Sequence, residues 1–100
     1  MGSSSRRRPK RLARKLFAIR QHLGLTQAEM VRKLDDLYIY PSHISGYERG
    51  EREPNLLVLL KYARLAQVPM EMLVDDAMNL PGEMNLFTNM ASNLAERKPK

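Results

Sequence analysis

The side chains of this sequence that could do chemistry fall into three groups. His22 and His43 are imidazoles able to bind a metal or carry a proton, Asp35 and Asp36 are adjacent carboxylates, and eight cations crowd residues 1–24. The two histidines do not share the short helical spacing that sets a pair of imidazoles on one face. The chain of 100 residues also has no cysteine to complete a metal site, form a disulfide or act as a nucleophile. No metal and no cofactor is expected. Adjacent acids at the end of an apolar pattern read as a solvated helix stop, and no nucleophile, base and orienting group can be assembled from the motifs present. No catalytic residue is assigned, and the chain is not expected to be an enzyme.

The cations differ from the other two groups in how they are distributed. Arg6, Arg7, Arg8, Lys10, Arg11, Arg14, Lys15 and Arg20 all lie in residues 1–24, where there is no acid. The remainder carries nine basic and eleven acidic residues, so the whole excess behind the net charge of +6 sits at one end. Such an end suits a polyanion. It reads either as a phosphate-contacting arm or as a solvated tail, and the run alone does not choose. An Arg- and Ser-rich, acid-free start also has the composition of an organelle transit peptide. That reading is set aside because the segment after Pro9 is needed for the first helix. Lys and Arg interrupt every apolar stretch, so no run of about 18 apolar residues is available to span a membrane, and a soluble, cytoplasmic and nucleoid-associated protein is expected.

The elements that must position these groups are helical. Leu12, Leu16, Ile19 and Leu23 recur at spacings of four, three and four and predict an amphipathic helix over 10–23, closed by Gly24. Thr26 and Glu29 form a capping-box pattern opening a second helix, whose stripe is Ala28, Val31 and Leu34 and whose stop is Asp35-Asp36. The residues Tyr38, Ile39 and Tyr40 read as a turn; they either pack beneath it, which is the expected outcome, or lie exposed on the surface, and the sequence alone does not choose. Pro41 suits the first position of a third helix running to Arg49, with Gly50 after it. Asn55 caps a fourth helix with Leu56, Leu59, Leu60, Ala63 and Ala66 as its inner face. Pro69 opens a fifth helix, with Met70, Leu73 and Val74 inside, ending near Met78. Beyond Pro81-Gly82, the spacing of Phe87, Met90 and Leu94 permits a sixth helix, followed by a disordered tail after Arg97. The organisation is therefore a basic arm (1–9), a helical domain (10–78) and an extension (79–100) that is helical or dimerising and frays at its end. The polar, charged ending is read as that of a complete small protein. The apolar residues of the fifth helix and extension are expected to serve both the core and a subunit interface.

Two short helices joined tightly are a general pattern; the details narrow it. Gly24-Leu25-Thr26-Gln27-Ala28-Glu29, then Ile44-Ser45-Gly46-Tyr47-Glu48-Arg49-Gly50, then Pro54-Asn55-Leu56 resemble the phage repressor and Cro family of regulators, also called the xenobiotic-response-element family, over about residues 16–75. The resemblance implies an all-α, five-helix repressor-like DNA-binding domain with a helix-turn-helix, acting on operator DNA as a symmetric homodimer with its third helix in the major groove. It further implies that Gln27 hydrogen-bonds a phosphate and braces the third helix while Thr26 caps the second. Pro41, Ser42, His43, Ser45 and Gly46 would then face base edges. Arg49, Gly50 and Arg52 would meet phosphates, joined by Arg6, Arg7, Arg8, Lys10 and Arg11 of the arm. Arg20 and Glu48 would form a structural ion bridge between the first and third helices.

Two departures bear on function. The connection before the third helix is longer than the family turn by roughly three residues. Pro41 and Gly46 also stand where relatives carry long side chains, and neither can hydrogen-bond a base in bidentate fashion. DNA shape and the basic arm are expected to carry more of the selectivity. The leading reading is a repressor that binds double-stranded DNA at a palindrome as a homodimer. The alternatives are an antitoxin-type autoregulator that also binds a toxin partner, a protein-interaction module that keeps the fold without base readout, and the N-terminal piece of a larger regulator.

Overall fold

A computed structural model of the chain describes residues 8–36 and 38–82. Among the described residues, five helices follow one another: α1 (Leu12–Leu23), α2 (Gln27–Leu34), α3 (Pro41–Glu48), α4 (Leu56–Ala66) and α5 (Glu71–Val74). The fold is all-α as the sequence implies, with no strand among the described residues. Phe87, Met90 and Leu94 of the expected sixth helix lie outside those residues, as do Arg6 and Arg7.

Local chemistry sets most of the boundaries. Gly24 takes the left-handed conformation (φ 72°) that ends α1. Thr26 Oγ1 accepts the Glu29 amide at 3.0 Å while Glu29 Oε1 accepts the Thr26 amide at 2.8 Å, so two otherwise unpaired donors at the start of α2 satisfy each other. Asp35, at φ 54°, closes α2. The carbonyls of Leu34 and Asp35 accept the Lys61 ammonium from α4 at 2.6 and 3.2 Å. Asn55 Oδ1 accepts the Val58 amide at 2.9 Å and starts α4.

α1 packs against α3, α4 and α5, and α2 against α3 and α4. The core they enclose is built from Leu12, Leu16 and Ile19 of α1, Met30 and Leu34 of α2, Ile44 and Tyr47 of α3, Leu73 of α5, and Val58, Leu59, Tyr62, Ala63 and Ala66 of α4. The inner face of α4 differs from its reading in the sequence. Val58 and Tyr62 are fully buried, Leu60 is only partly covered, and Leu56 remains 72% exposed. In a helix as apolar as Leu-Leu-Val-Leu-Leu, periodicity does not identify the inner stripe; docking on α1 does. In α2 likewise, Met30 rather than Ala28 reaches the core.

The other departures share one cause. α1 begins at Leu12 rather than Lys10, and α5 stops at Val74, four residues short of Met78. Arg11, the residue before α1, receives no cap from a local side chain. The Asp76 carboxylate supplies one across the fold, accepting the Lys10 and Arg11 amides at 2.9 and 3.0 Å. In return the Arg11 guanidinium donates to the Asp76 carbonyl at 2.7 Å and to Asn79 Oδ1. Lys15 Nζ donates to the carbonyls of Met72 and Asp75 at 2.7 and 3.0 Å. The chain after Val74 is drawn onto the start of α1, and Asp75 is extended (φ −90°, ψ 110°) where a longer helix would continue. Leu80 is buried, so packing reaches two residues past the expected boundary at 78.

Two expected outcomes follow from these contacts. The two backbone amides hold the Asp76 carboxyl below its ordinary value. Because that value is depressed in the folded state, the clasp contributes fully above the unfolded carboxylate's pKa of about 4 and is lost as pH falls through the lowered one. Melting temperatures of the wild type and Asp76→Asn should differ at pH 6, with the wild type more stable. The gap should begin to close near about pH 4 and vanish only below the lowered pKa of the folded carboxyl. A constant gap across that range would show that the charge does not act there. The Tyr62 hydroxyl, for its part, is buried without a hydrogen-bond partner among the described residues, and burial pushes its pKa well above that of an ordinary phenol. Tyr62→Phe removes an unpaired polar group while keeping the ring. It should stabilise the domain by about 1 kcal/mol, a rise in Tm of about 4–8 °C; a drop in Tm would mean that the hydroxyl has a partner.

Candidate nucleic-acid interface

α3 has two distinct sides. Ile44 and Tyr47 are buried against α1 and α2, whereas Pro41, Ser42 and Arg49 are exposed and Ser45 is half-exposed. The exposed side is hydrogen-bonding and cationic. The Arg49 guanidinium donates to Ser45 Oγ one turn back and pairs with Glu51 Oε1 at 2.7 Å. This pair raises the Arg49 pKa and lowers that of Glu51, through the hydrogen bond first and charge second. Exposed pairs of this kind are weak.

The orientation of α3 is fixed from within by Arg20 of α1, whose side chain is nearly buried together with that of Glu48. Its Nε and Nη2 donate to the two carboxylate oxygens of Glu48 at 2.6 and 2.9 Å, a two-pronged contact, and its Nη1 donates to the Leu25 carbonyl at 2.9 Å. Gln27, at the first position of α2, donates to Glu48 Oε1 at 3.3 Å. The Arg20 guanidinium also lies 5.4 Å from the centre of the Phe17 ring. The pair of Glu48 and Arg20 thus ties the end of α3 to α1, to the turn before α2, and to α2 itself. The bond to Glu48 raises the Arg20 pKa against the opposing effect of burial. In this arrangement Gln27 braces α3 directly.

The structure distributes the remaining expected interface residues unevenly. Thr26 caps α2 as its position implies. Gly46 does not lie open beside a base; it is buried under the Arg52 side chain, and a Cβ at this position would meet Arg52 Cβ at 3.3 Å. The loop after α3 folds back, the Glu51 and Arg52 amides donating to the Gly46 carbonyl at 2.9 and 3.2 Å, and this lays Arg52 across the helix. Gly50 (φ 75°) makes the reversal. Arg8 and Lys10 have exposed side chains beside this loop. Arg11 differs from expectation, because its guanidinium is taken up by the chain around Asp76. Lys15 differs also: it is 3% exposed, and burial lowers its pKa.

The connection between α2 and α3 runs over six residues, 35–40. Ile39 is buried, but Tyr38 and Tyr40 are 80% and 60% exposed rather than packed beneath the turn. Asp36 shapes this turn, its Oδ1 accepting the Tyr38 amide at 2.8 Å. The contacts of Asp76, Lys15 and Lys61 were missed in the sequence. Two signals were present: an acidic pair, Asp75-Asp76, matching an acid-free start, and Lys61 directly after the apolar run Leu56 to Leu60 of α4.

Against this geometry, a family model described as helix-turn-helix matches residues 16–73, more than half of the chain. The chain belongs to that family, the DNA-binding regulators of the xenobiotic-response-element type. No curated protein and no solved structure matches it. Among the described residues, no helix is long and apolar enough to cross a membrane.

The brace around Glu48 yields a stability test. Arg20→Met leaves a carboxylate buried without its cation and should destabilise the domain by about 3–5 kcal/mol. Arg20→Met combined with Glu48→Leu should recover most of that loss. Denaturant titration of both variants and of Glu48→Leu alone measures the coupling. Additive losses would show that the two side chains act independently.

Proposed function

We propose that this chain is a transcriptional repressor that binds a palindromic operator as a homodimer, with α3 in the major groove and the loop and arm on phosphates. The observation that carries the reading is the exposed side of α3, with Ser42, Ser45 and Arg49 on one surface and the helix braced behind it through Glu48. A rigid helix offering hydroxyls and a guanidinium suits base edges and phosphate oxygens. Arg8, Lys10 and Arg52 flank the same end of the molecule, where they serve phosphates. In the sequence, Arg6 and Arg7 precede Arg8 and continue the same run of cations. This function places the protein in the cytoplasm with the nucleoid.

Homodimerisation draws support from a second surface. Leu56 and Leu57, at the start of α4, are 72% and 69% exposed, and Val74 is also exposed. Leu56 and Val74 line a groove with Pro9, Leu12, Pro54 and Leu59. Apolar side chains exposed together mark a contact with another protein. A second copy there would make the dimer that a palindrome needs, whose half-sites lie about 34 Å apart. A toxin or other foreign partner on this surface is the competing reading, and co-purification of a small basic protein would favour it.

The test is selection of binding sites from random duplex DNA, then titration of the best site and a scrambled one at several salt concentrations. A palindrome with a large specificity ratio is expected. Arg52→Ala should weaken both DNAs alike and lower the salt slope by about 1. Ser42→Ala should weaken the selected site alone, by about 1 kcal/mol. Salt-dependent binding with no sequence preference would leave a protein-interaction module as the better account.

A further inference from the structure

The two exposed tyrosines stand just ahead of the helix assigned to the groove, and one of them is built into its first turn. Tyr40 precedes Pro41 as the cap of α3, in extended conformation (φ −121°, ψ 164°). Its amide donates to His43 Nδ1 at 3.0 Å, and the His43 amide donates to the Tyr40 carbonyl at 2.8 Å. This reciprocal pair does for the start of α3 what Thr26 and Glu29 do for α2, with imidazole in place of carboxylate. It also holds the two rings together, their centres 5.4 Å apart and their planes tilted by 39°. With Nδ1 accepting, the neutral ring carries its proton on Nε2. On the other side of Tyr40, Ile39 is buried and anchors the chain. Tyr40 is therefore held on both sides while the residue stays 60% exposed.

A fixed, exposed aromatic ring at the end of the helix that enters the groove has an apolar surface to cover. In the major groove, base edges present hydrogen-bond donors and acceptors and one apolar group, the C5-methyl of thymine. We propose that the Tyr40 ring, set by His43, packs against a thymine methyl and is a specificity-determining contact of the operator. This rests on the reading that α3 enters the major groove. It assigns to the lengthened connection before α3 a role that neither Pro41, which has no hydrogen-bonding side chain, nor the buried Gly46 can fill. The phenol hydroxyl is not needed for it.

The test uses the full chain and the operator recovered by selection, with uracil replacing each thymine of one half-site in turn. Uracil pairs as thymine does and lacks only the methyl. For the wild type, one substitution should weaken binding about fourfold, the effect of losing one buried methyl-sized group, and the others should be near neutral. Tyr40→Ala should weaken the thymine operator and bind the uracil version equally well. Tyr40→Phe should keep the discrimination. Melting curves of both variants verify folding, since the backbone half of the cap does not need the ring. Uniform tolerance of uracil by the wild type would overturn the proposal, as would discrimination surviving in folded Tyr40→Ala. So would equal weakening on both DNAs in Tyr40→Phe, the mark of a hydroxyl on phosphate. Specific operator binding in the presence of any of these results leaves the repressor reading standing; failure to select any operator removes both.

Discussion

The contact on which this structure most depends is the one between Arg20 and Glu48. A two-helix reading head is useful only if its second helix keeps one orientation, and α3 has just two turns with which to hold it. Its buried residues, Ile44 and Tyr47, supply attraction but little direction, since apolar burial depends on area rather than angle. The bidentate contact supplies the direction, because a guanidinium meets both carboxylate oxygens in only one plane. Arg20 also binds the Leu25 carbonyl and Gln27 also reaches Glu48, so the turn leading into α2 is set by the same groups that set α3.

The price of that arrangement is two charges removed from water. Burial opposes the charged state of Arg20, and the bond to Glu48 outweighs it. Buried ion pairs contribute less to net stability than apolar replacements often would. What this one gives is a defined angle in a domain too small to obtain it from core volume alone. The clasp between Asp76 and the start of α1 works on the opposite edge by the same means, with one carboxylate accepting two backbone amides and one guanidinium returning the contact. The two ends of the domain are thus fastened to each other, which is why α5 is short. A helix continuing to Met78 would give up the Asp76 cap on α1 and the Asp75 carbonyl that accepts Lys15.

These contacts show what was legible beforehand. Features written in neighbouring residues were read well: Gly24, the Thr26 and Glu29 box, Asn55 as a cap, and Pro41 as a first helical residue all act as their chemistry implies. The bridge from Arg20 to Glu48 was legible only through the resemblance, since nothing in the spacing of two residues on different helices requires them to meet. Contacts made across the fold were not legible. Lys15 and Arg11 looked like members of a basic arm because charge runs are read in one dimension, yet α1 turns Lys15 inward and Asp76 captures Arg11. Tyr38 and Tyr40 were expected beneath the turn for being apolar, and the small Ile39 took that place. Gly46 was counted as an open groove position until the returning loop laid Arg52 over it.

The candidate surface that results differs in kind from the one the motif suggested. Of the α3 positions that matched base-facing ones, Gly46 is covered, Pro41 has nothing to donate, and His43 uses one ring nitrogen to cap its own helix. Ser42 and Ser45 remain, and short hydroxyls discriminate among bases less than long amides or guanidiniums do. Discrimination on such a helix must come from groups around it. Among the described residues, folding has already fixed the Tyr40 and His43 pair at one end of α3 and the returning loop with Arg52 at the other. A short reading helix with a preformed contact at each end loses less conformational freedom on binding than one with long, mobile side chains along its length. On the proposed reading, in which α3 enters the groove and Tyr40 meets a thymine methyl, the lengthened connection before α3 compensates for the sparse outer face of that helix.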